Sequence, residues 1–283
     1  MPDFALPAIM VEPIVRAALL EDLGRAGDLT TDAIVPADLT ADAVIAARQP
    51  GIVAGSQVAE LAFRLVDPAM SVTVERPDGS AVAPGDVVMR IKGSARALLT
   101  AERTALNLHC RLSGIATATG ELVEAVRGTK AAVTCTRKTT PGLRALEKAA
   151  VRAGGGANHR FGLDDAVLIK DNHIALAGSV TAAIERARAR IGHLVKIEVE
   201  VDTLEQLEEA MTAAPDVVLL DNMGPETLAK AVAFVDGRAI LEASGRITKE
   251  TARAIAETGV DIVSAGWLTH SSKALDLGLD IGV

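Results

Sequence analysis

The hydrophobic rhythm of the chain changes twice along its 283 residues. Residues 1–92 are mixed. A segment near Pro13 to Leu20 predicts an opening helix, the stretch Gly24 to Thr31 reads as a polar turn, and short apolar runs follow. Those runs are Val44–Ala47, Ile52–Ala54, Val72–Val74 and Val87–Ile91. Separated by turn signals such as Pro84-Gly85-Asp86, they predict a small sheet. From Leu98 the apolar positions step by three and four through Ala101, Ala105, Leu108, Leu112, Ile115, Thr119, Leu122 and Val126. That spacing predicts one long helix, or two separated near Ser113-Gly114. After Gly128, short apolar runs alternate with helical segments, the pattern of βα units on a parallel sheet. The six expected strands are Ala132–Thr136, Ala166–Ile169, Val195–Val199, Val217–Leu220, Ala239–Leu241 and Ile262–Ala265. Their spacing suits a barrel, a fold whose active sites gather at the C-terminal ends of its strands.

Charge sharpens this picture. Just past the runs stand Arg137 and Lys138, Lys170 and Asp171, Glu200 and Asp202, Asp221 and Asn222, then Ser244-Gly245 and Gly266. A single charged residue after a strand is ordinary solvation. Four charged ends in register would place two cationic ends against two anionic ends around one mouth, a site for an anionic substrate with a divalent metal. The segment Arg137 to Lys170 is locally basic, carrying Arg137, Lys138, Arg144, Lys148, Arg152, Arg160 and Lys170 with His159, on a chain of net charge -8. Forked guanidinium and compact ammonium groups together suit carboxylates and phosphates. For Arg144, Lys148 and Arg152, spaced by four, a solvated helix face shared with Glu147 is the expected reading. Gly154-Gly155-Gly156 reads equally as a phosphate cradle or as a helix cap with a tight turn. Ser244-Gly245 and Gly266 permit close approach of backbone to a phosphate, with His270 beside them or simply packed.

Composition excludes other classes. An acidic whole argues against a general nucleic-acid binder. No uncharged apolar run reaches membrane-spanning length, and no export signal begins the sequence, so a cytoplasmic protein is expected. Cys110 and Cys135 are too far apart for a CxxC motif, and Cys135 reads as packing.

Motifs then point to a family. T-R-K-T-T-P-G-L-R-A-L-E-K (Thr136–Lys148), G-G-G-A-N-H-R (Gly154–Arg160) and L-I-K-D-N-H (Leu168–His173) closely resemble the quinolinate phosphoribosyltransferase family. T-A-E-R-T-A-L-N (Thr100–Asn107), E-V-E-V-D (Glu198–Asp202), L-L-D-N (Leu219–Asn222), E-A-S-G (Glu242–Gly245) and L-T-H-S extend the resemblance, as do E-D-L-G and G-D-L-T-T near the start. It implies an α/β protein, with an N-terminal α/β sandwich over 1–112 and an incomplete parallel α/β barrel over 113–283, leaving open whether the last residues return to the first domain. It further implies a homodimer, with higher assembly open, whose site receives Arg103 from the partner subunit. By the same resemblance Arg137, His159, Arg160 and Lys170 would meet the carboxylates of quinolinate, Lys138 would serve the pyrophosphate side, and Thr136 counts among the substrate-binding residues. Glu200 and Asp221 would work on the ribose and Mg2+, while Ser244, Gly245, Gly266 and His270 would surround the 5-phosphate. The implied catalytic set is Lys138, Glu200 and Asp221, and the implied reaction is a decarboxylating phosphoribosyl transfer in NAD biosynthesis. Trp267 and Arg246 depart from the family pattern, which usually has alanine at the first and glycine or asparagine at the second. Three rivals stay open: a nicotinate phosphoribosyltransferase binding one carboxylate, a Schiff-base aldolase using Lys138 or Lys170, and a non-enzymatic paralogue associated with molybdenum transport.

Overall fold

The structure, a computed structural model, describes residues 5–282. Its contacts divide into two units, one of residues 1–120, 139–155 and 268–283, the other of residues 121–138 and 156–267.

In the first unit, strands β1 (Thr40–Ala47), β3 (Ser71–Val74) and β5 (Val87–Ser94) join β12 (Leu277–Gly282) in a four-stranded sheet of order β12-β1-β5-β3, while β2 (Gly51–Ile52) pairs with β4 (Ala81–Val82). All these pairings are antiparallel. Helices Ala8–Leu23 and Ser56–Val66 pack on one another, and the latter buries Val58, Ala59, Ala62 and Phe63 along one face. The expected polar turn at Gly24–Thr31 is half helix: Asp28 caps a helix over Leu29–Ile34 through the Thr31 N–H.

A single helix, Ala95–Ala125, replaces the two-helix alternative. Ser113 and Gly114 mark a contact and not a break. The Ser113 hydroxyl accepts from the Ala54 N–H at 3.0 Å, and a side chain at Gly114 would stand 2.0 Å from the Lys273 carbonyl oxygen. The helix is also buried beyond its expected stripe, since Thr104, His109 and Ser113 are inside as well.

The short helix Arg144–Ala153 overturns the solvated-face expectation. Glu147 is 0% and Lys148 3% exposed, and of the three cations only Arg152 is exposed. Glu147 is buried because its oxygens are fully used: they accept from Arg111 at 3.0 Å, from the Thr140 N–H at 3.0 Å and from the Thr140 hydroxyl at 2.8 Å. Arg111 also donates to the carbonyls of Thr269 and Ser272, tying this helix and the chain's last segment to Ala95–Ala125. Gly154 caps the helix through the Ala150 carbonyl, and a Cβ there would meet the Ala116 oxygen at 2.3 Å, so packing and capping account for it.

The second unit holds the six expected strands: β6 (Ala132–Thr134), β7 (Val167–Ile169), β8 (Ile197–Val201), β9 (Val217–Asp221), β10 (Ile240–Ser244) and β11 (Ile262–Ser264). They form one sheet of order β6-β11-β10-β9-β8-β7, every pairing parallel. The first two strands in sequence are the two edges, the order of a barrel left open between them. At the N-terminal ends of the strands, Lys130–Asp261 (2.8 Å) and Lys196–Asp216 (2.6 Å) close the floor, with both aspartates also accepting from strand N–H groups.

Candidate active site

At the opposite, C-terminal ends of these strands lies a cavity of about 330 Å³. Nine of the residues singled out in the sequence line it: Thr136, Arg137, Lys138, His159, Arg160, Lys170, Glu200, Asp221 and Ser244. Four of them arrive by strand geometry, and Thr136–Lys138 and His159–Arg160 come from the irregular segments after β6 and after the helix Arg144–Ala153. Lys170 immediately follows β7, Glu200 is next to last on β8, and Asp221 and Ser244 end β9 and β10 in mutual register. Gly245 and Gly266 directly follow β10 and β11 within two residues, outside the lining, while Arg103 and His270 are exposed residues of the first unit. Leu168, Leu219, Glu242 and Ser264 complete the wall. Sequence reasoning missed Glu242, whose signal was an acid inside an otherwise apolar strand, I-L-E-A-S. A larger cavity of about 650 Å³ lies on the first unit's sheet, lined by Asp42, Arg90, Lys92 and Asp280 among others; it gathers none of these residues, and convergence of chemistry outweighs size.

The cavity is divided by charge. On the cationic side, burial and the neighbouring Arg137 push the Arg160 guanidinium below its ordinary pKa, with Glu198 and Asp165 opposing. Arg160 donates one hydrogen bond to the Ala166 carbonyl at 2.9 Å, while Nε of both Arg137 and Arg160 is buried without a partner among the described residues. Buried guanidinium donors of that kind are costly unless an anion meets them. Both ring nitrogens of His159 are engaged within the protein. Nδ1 accepts from the Arg160 N–H at 2.7 Å, and Nε2 lies 2.9 Å from Glu198.

On the acidic side, burial raises the pKa of Glu200; Lys170, 3.5 Å away, opposes this, and the charges of Asp221 and Asp171 add to it. Asp221 accepts from the Asn222 side chain at 2.5 Å, and Asn222 holds a positive φ of 54° with its N–H on the Ser244 carbonyl. Gly245 must be glycine on two counts. Its φ is 94°, and a Cβ would stand 2.3 Å from Asn222 Oδ1. The departure at 246 has a geometric counterpart, because Arg246 itself adopts φ 50°, a conformation in which glycine or asparagine is the easier residue. Trp267 fastens the same loop by donating from its indole to the Ile247 carbonyl at 2.8 Å.

Residues 28–113 match the family description quinolinate phosphoribosyl transferase, N-terminal domain, and residues 115–280 match its C-terminal domain. The chain belongs to the quinolinate phosphoribosyltransferase family. Among relatives of this family, the nicotinate-nucleotide pyrophosphorylase (carboxylating) of Mycobacterium leprae is 48% identical over 275 residues, covering 94% of this chain and 95% of that one. The crystal structure of NadC from Streptococcus pyogenes superposes with a TM-score of 0.94 at 42% identity, covering 99% of each chain. The nicotinate-nucleotide pyrophosphorylase of Francisella tularensis superposes equally well, TM-score 0.94 at 38% identity, covering 100% of each chain. The human nicotinic acid phosphoribosyltransferase, at 14% identity and TM-score 0.65 over 90% of this chain and 72% of that one, shares the fold alone. For a quinolinate phosphoribosyltransferase the divided cavity sits where the fold class places chemistry, at the carboxyl ends of the barrel strands.

Proposed function

We propose that this chain transfers the phosphoribosyl group of phosphoribosyl pyrophosphate to the ring nitrogen of quinolinate, with loss of CO2, giving nicotinate mononucleotide and pyrophosphate in NAD biosynthesis. The observation that carries this reading is the cavity that holds Arg137, Arg160, Lys138 and Lys170 together with Glu200 and Asp221. Two carboxylates on adjacent ring carbons need more than one cation, and Arg137, Arg160 and Lys170 supply three.

The chemistry follows from where charge develops. Breaking the bond from ribose C1 to pyrophosphate builds positive charge on the sugar and negative charge on the leaving group. Lys138 meets the leaving group, and the carboxylates of Glu200 and Asp221 steady the sugar cation. The arginines hold the pyridine ring so that its nitrogen faces C1. Attack makes a pyridinium, whose positive nitrogen stabilises the carbanion left as the adjacent carboxylate departs as CO2, and that carbon then takes a proton from solvent to give nicotinate mononucleotide. Ser244, Gly245, Gly266 and His270 are assigned to the 5-phosphate.

A divalent cation fits the acidic side. Burial, and then the charges of Asp221 and Asp171, hold the Glu200 carboxyl above its ordinary pKa, and such clustered hard oxygen donors are the chemistry magnesium prefers. Glu200 and Asp221 would hold it, directly or through water, and when bound it supplies positive charge for the departing pyrophosphate. We further assign the chain to a homodimer in which Arg103 completes the partner's site. A cytoplasmic location accords with Cys110 and Cys135 not being joined in a disulfide, and with the absence among the described residues of any helix long and apolar enough to cross a membrane.

The test is a turnover assay of the purified protein with phosphoribosyl pyrophosphate and either quinolinate or nicotinate, with magnesium and with a chelator. Nicotinate mononucleotide and CO2 in equal amounts, from quinolinate alone and lost on chelation, are expected. Turnover of nicotinate would favour the one-carboxylate enzyme. Silence with both acids from folded protein would indicate a binding protein.

A further inference from the structure

Two buried carboxyl groups beneath His159 have no role in the reaction as assigned above. Glu198 lies two residues before Glu200 on β8, and Glu242 two before Ser244 on β10, so strand alternation turns both toward the face that carries the cavity residues. Their side chains are 8% and 3% exposed. Burying two acids inside a barrel is costly, and an apolar pair of similar size would fill the space without that cost. What they touch gives them a purpose. His159 Nε2 is 2.9 Å from Glu198 and 3.7 Å from Glu242, while Nδ1 accepts from the Arg160 N–H at 2.7 Å. An Nδ1 that accepts requires the ring hydrogen on Nε2, which therefore donates to Glu198. The imidazole is thus held at both ends, and the end away from the acids fixes the backbone of Arg160. Glu198 also exerts a direct attraction on the Arg160 guanidinium, and Arg160 repels Arg137.

We propose that Glu198 and Glu242 are positioning residues that lock the His159 ring and, through it, set Arg160 against the quinolinate carboxylates. His159 then acts as a strut, with no ring N–H left for substrate. This rests on the phosphoribosyl transfer assigned above. One competitor comes from the same geometry: the ligand atoms of His159, Glu198 and Glu242 lie within 4.8 Å of one another, and one oxygen of each acid is buried without a partner among the described residues, an arrangement a transition metal could occupy. The adjacent Arg137 and Arg160 repel a dication, which favours the positioning role.

The experiment uses the full-length protein and two readouts. In 15N spectra of histidine side chains, His159 should show a bare Nδ1 and a protonated Nε2 at pH 7.5; the opposite tautomer overturns the proposal whatever the variants do. In kinetics, Glu198→Gln and Glu242→Leu should raise KM for quinolinate about tenfold while changing KM for phosphoribosyl pyrophosphate less than twofold, and Glu242→Gln should recover most of what Glu242→Leu loses. Equal changes in both KM values, or none in folded variants, would show a merely structural role. Stoichiometric binding of Zn2+ to the wild type, abolished by Glu198→Gln, would assign the trio to a metal. Wild-type protein without quinolinate turnover would remove the underlying reaction as well, and the two failures are told apart by that control.

Discussion

Two buried titratable side chains give the protein opposing responses to pH. His109 is wholly buried in the helix Ala95–Ala125, with both ring nitrogens unpartnered among the described residues, and burial lowers its pKa to about 4, slightly opposed by Asp78. Its unfolded form binds a proton near pH 6.5, so the stability it allows is complete above that value and is lost as pH falls toward 4. Glu242 behaves the other way. Burial, then the charge of Glu198, raises its carboxyl to about 7, so its contribution is complete below the ordinary value of 4.5 and is lost as pH rises through about 7. Each shift corresponds to roughly 3 kcal/mol in an order-of-magnitude sense. In the wild type the two slopes largely offset each other between pH 4.5 and 6.5. His109→Leu should therefore leave a protein whose urea midpoint rises as pH drops from 7 to 5, and Glu242→Gln one whose midpoint falls. Parallel slopes in the two variants would refute the assignment. Neither residue was legible as buried from the sequence, since a lone acid in a strand and a lone histidine in a helix look alike whether they face water or core.

At the scale of elements, the barrel strands were readable because each holds a short apolar run, the first four ended by a charge and the last two by glycine-containing turns, and a strand lies at each of the six runs. The helix Ser56–Val66 was readable but passed over. Its Val58, Ala59, Ala62 and Phe63 follow helical spacing, yet they stand among short β-like runs that invite a strand reading. β12 was not readable. Half of L-G-L-D-I-G is glycine or aspartate, and it becomes a strand only because β1 offers a paired edge from the far end of the chain. The solvated face assigned to Arg144–Arg152 failed for a similar reason: spacing by four identifies a face without saying what covers it, and Arg111 covers Glu147. Gly114 is the element-level counterpart. In a helix glycine costs about 1 kcal/mol relative to alanine, so its presence mid-helix demands a reason. That reason is the Lys273–Ala274 backbone, which a Cβ would approach to 2.0 Å and 2.9 Å. Gly114→Ala should gain in helix propensity yet lose overall, by about 1–3 kcal/mol in chemical denaturation, because the obstacle is main chain and cannot rotate away. A stabilised variant would mean that the last segment does not lie on this helix.

At the scale of the whole molecule, the proposed dimer can be tested by arithmetic. Arg103 is exposed on the helix Ala95–Ala125, in a different contact unit from Arg137 and Lys138. If it completes a partner's site, Arg103→Ala and Lys138→Ala should each lower turnover at least about a hundredfold alone, the second because it removes the cation proposed to meet the leaving group. Denaturing and refolding the two variants together in equal amounts makes about half of all dimers mixed, by random pairing in a twofold assembly. In each mixed dimer one site carries both substitutions, and the other joins an intact Lys138 from one chain to an intact Arg103 from the other. Activity should then return to about a quarter of the wild-type value. A monomer, or a dimer with self-contained sites, would give no recovery at all, because every site would keep one damaged residue. A sedimentation measurement on the same samples separates those two cases: dimers without recovery would place Arg103 in its own chain's site, and monomers would remove the shared-site arrangement altogether.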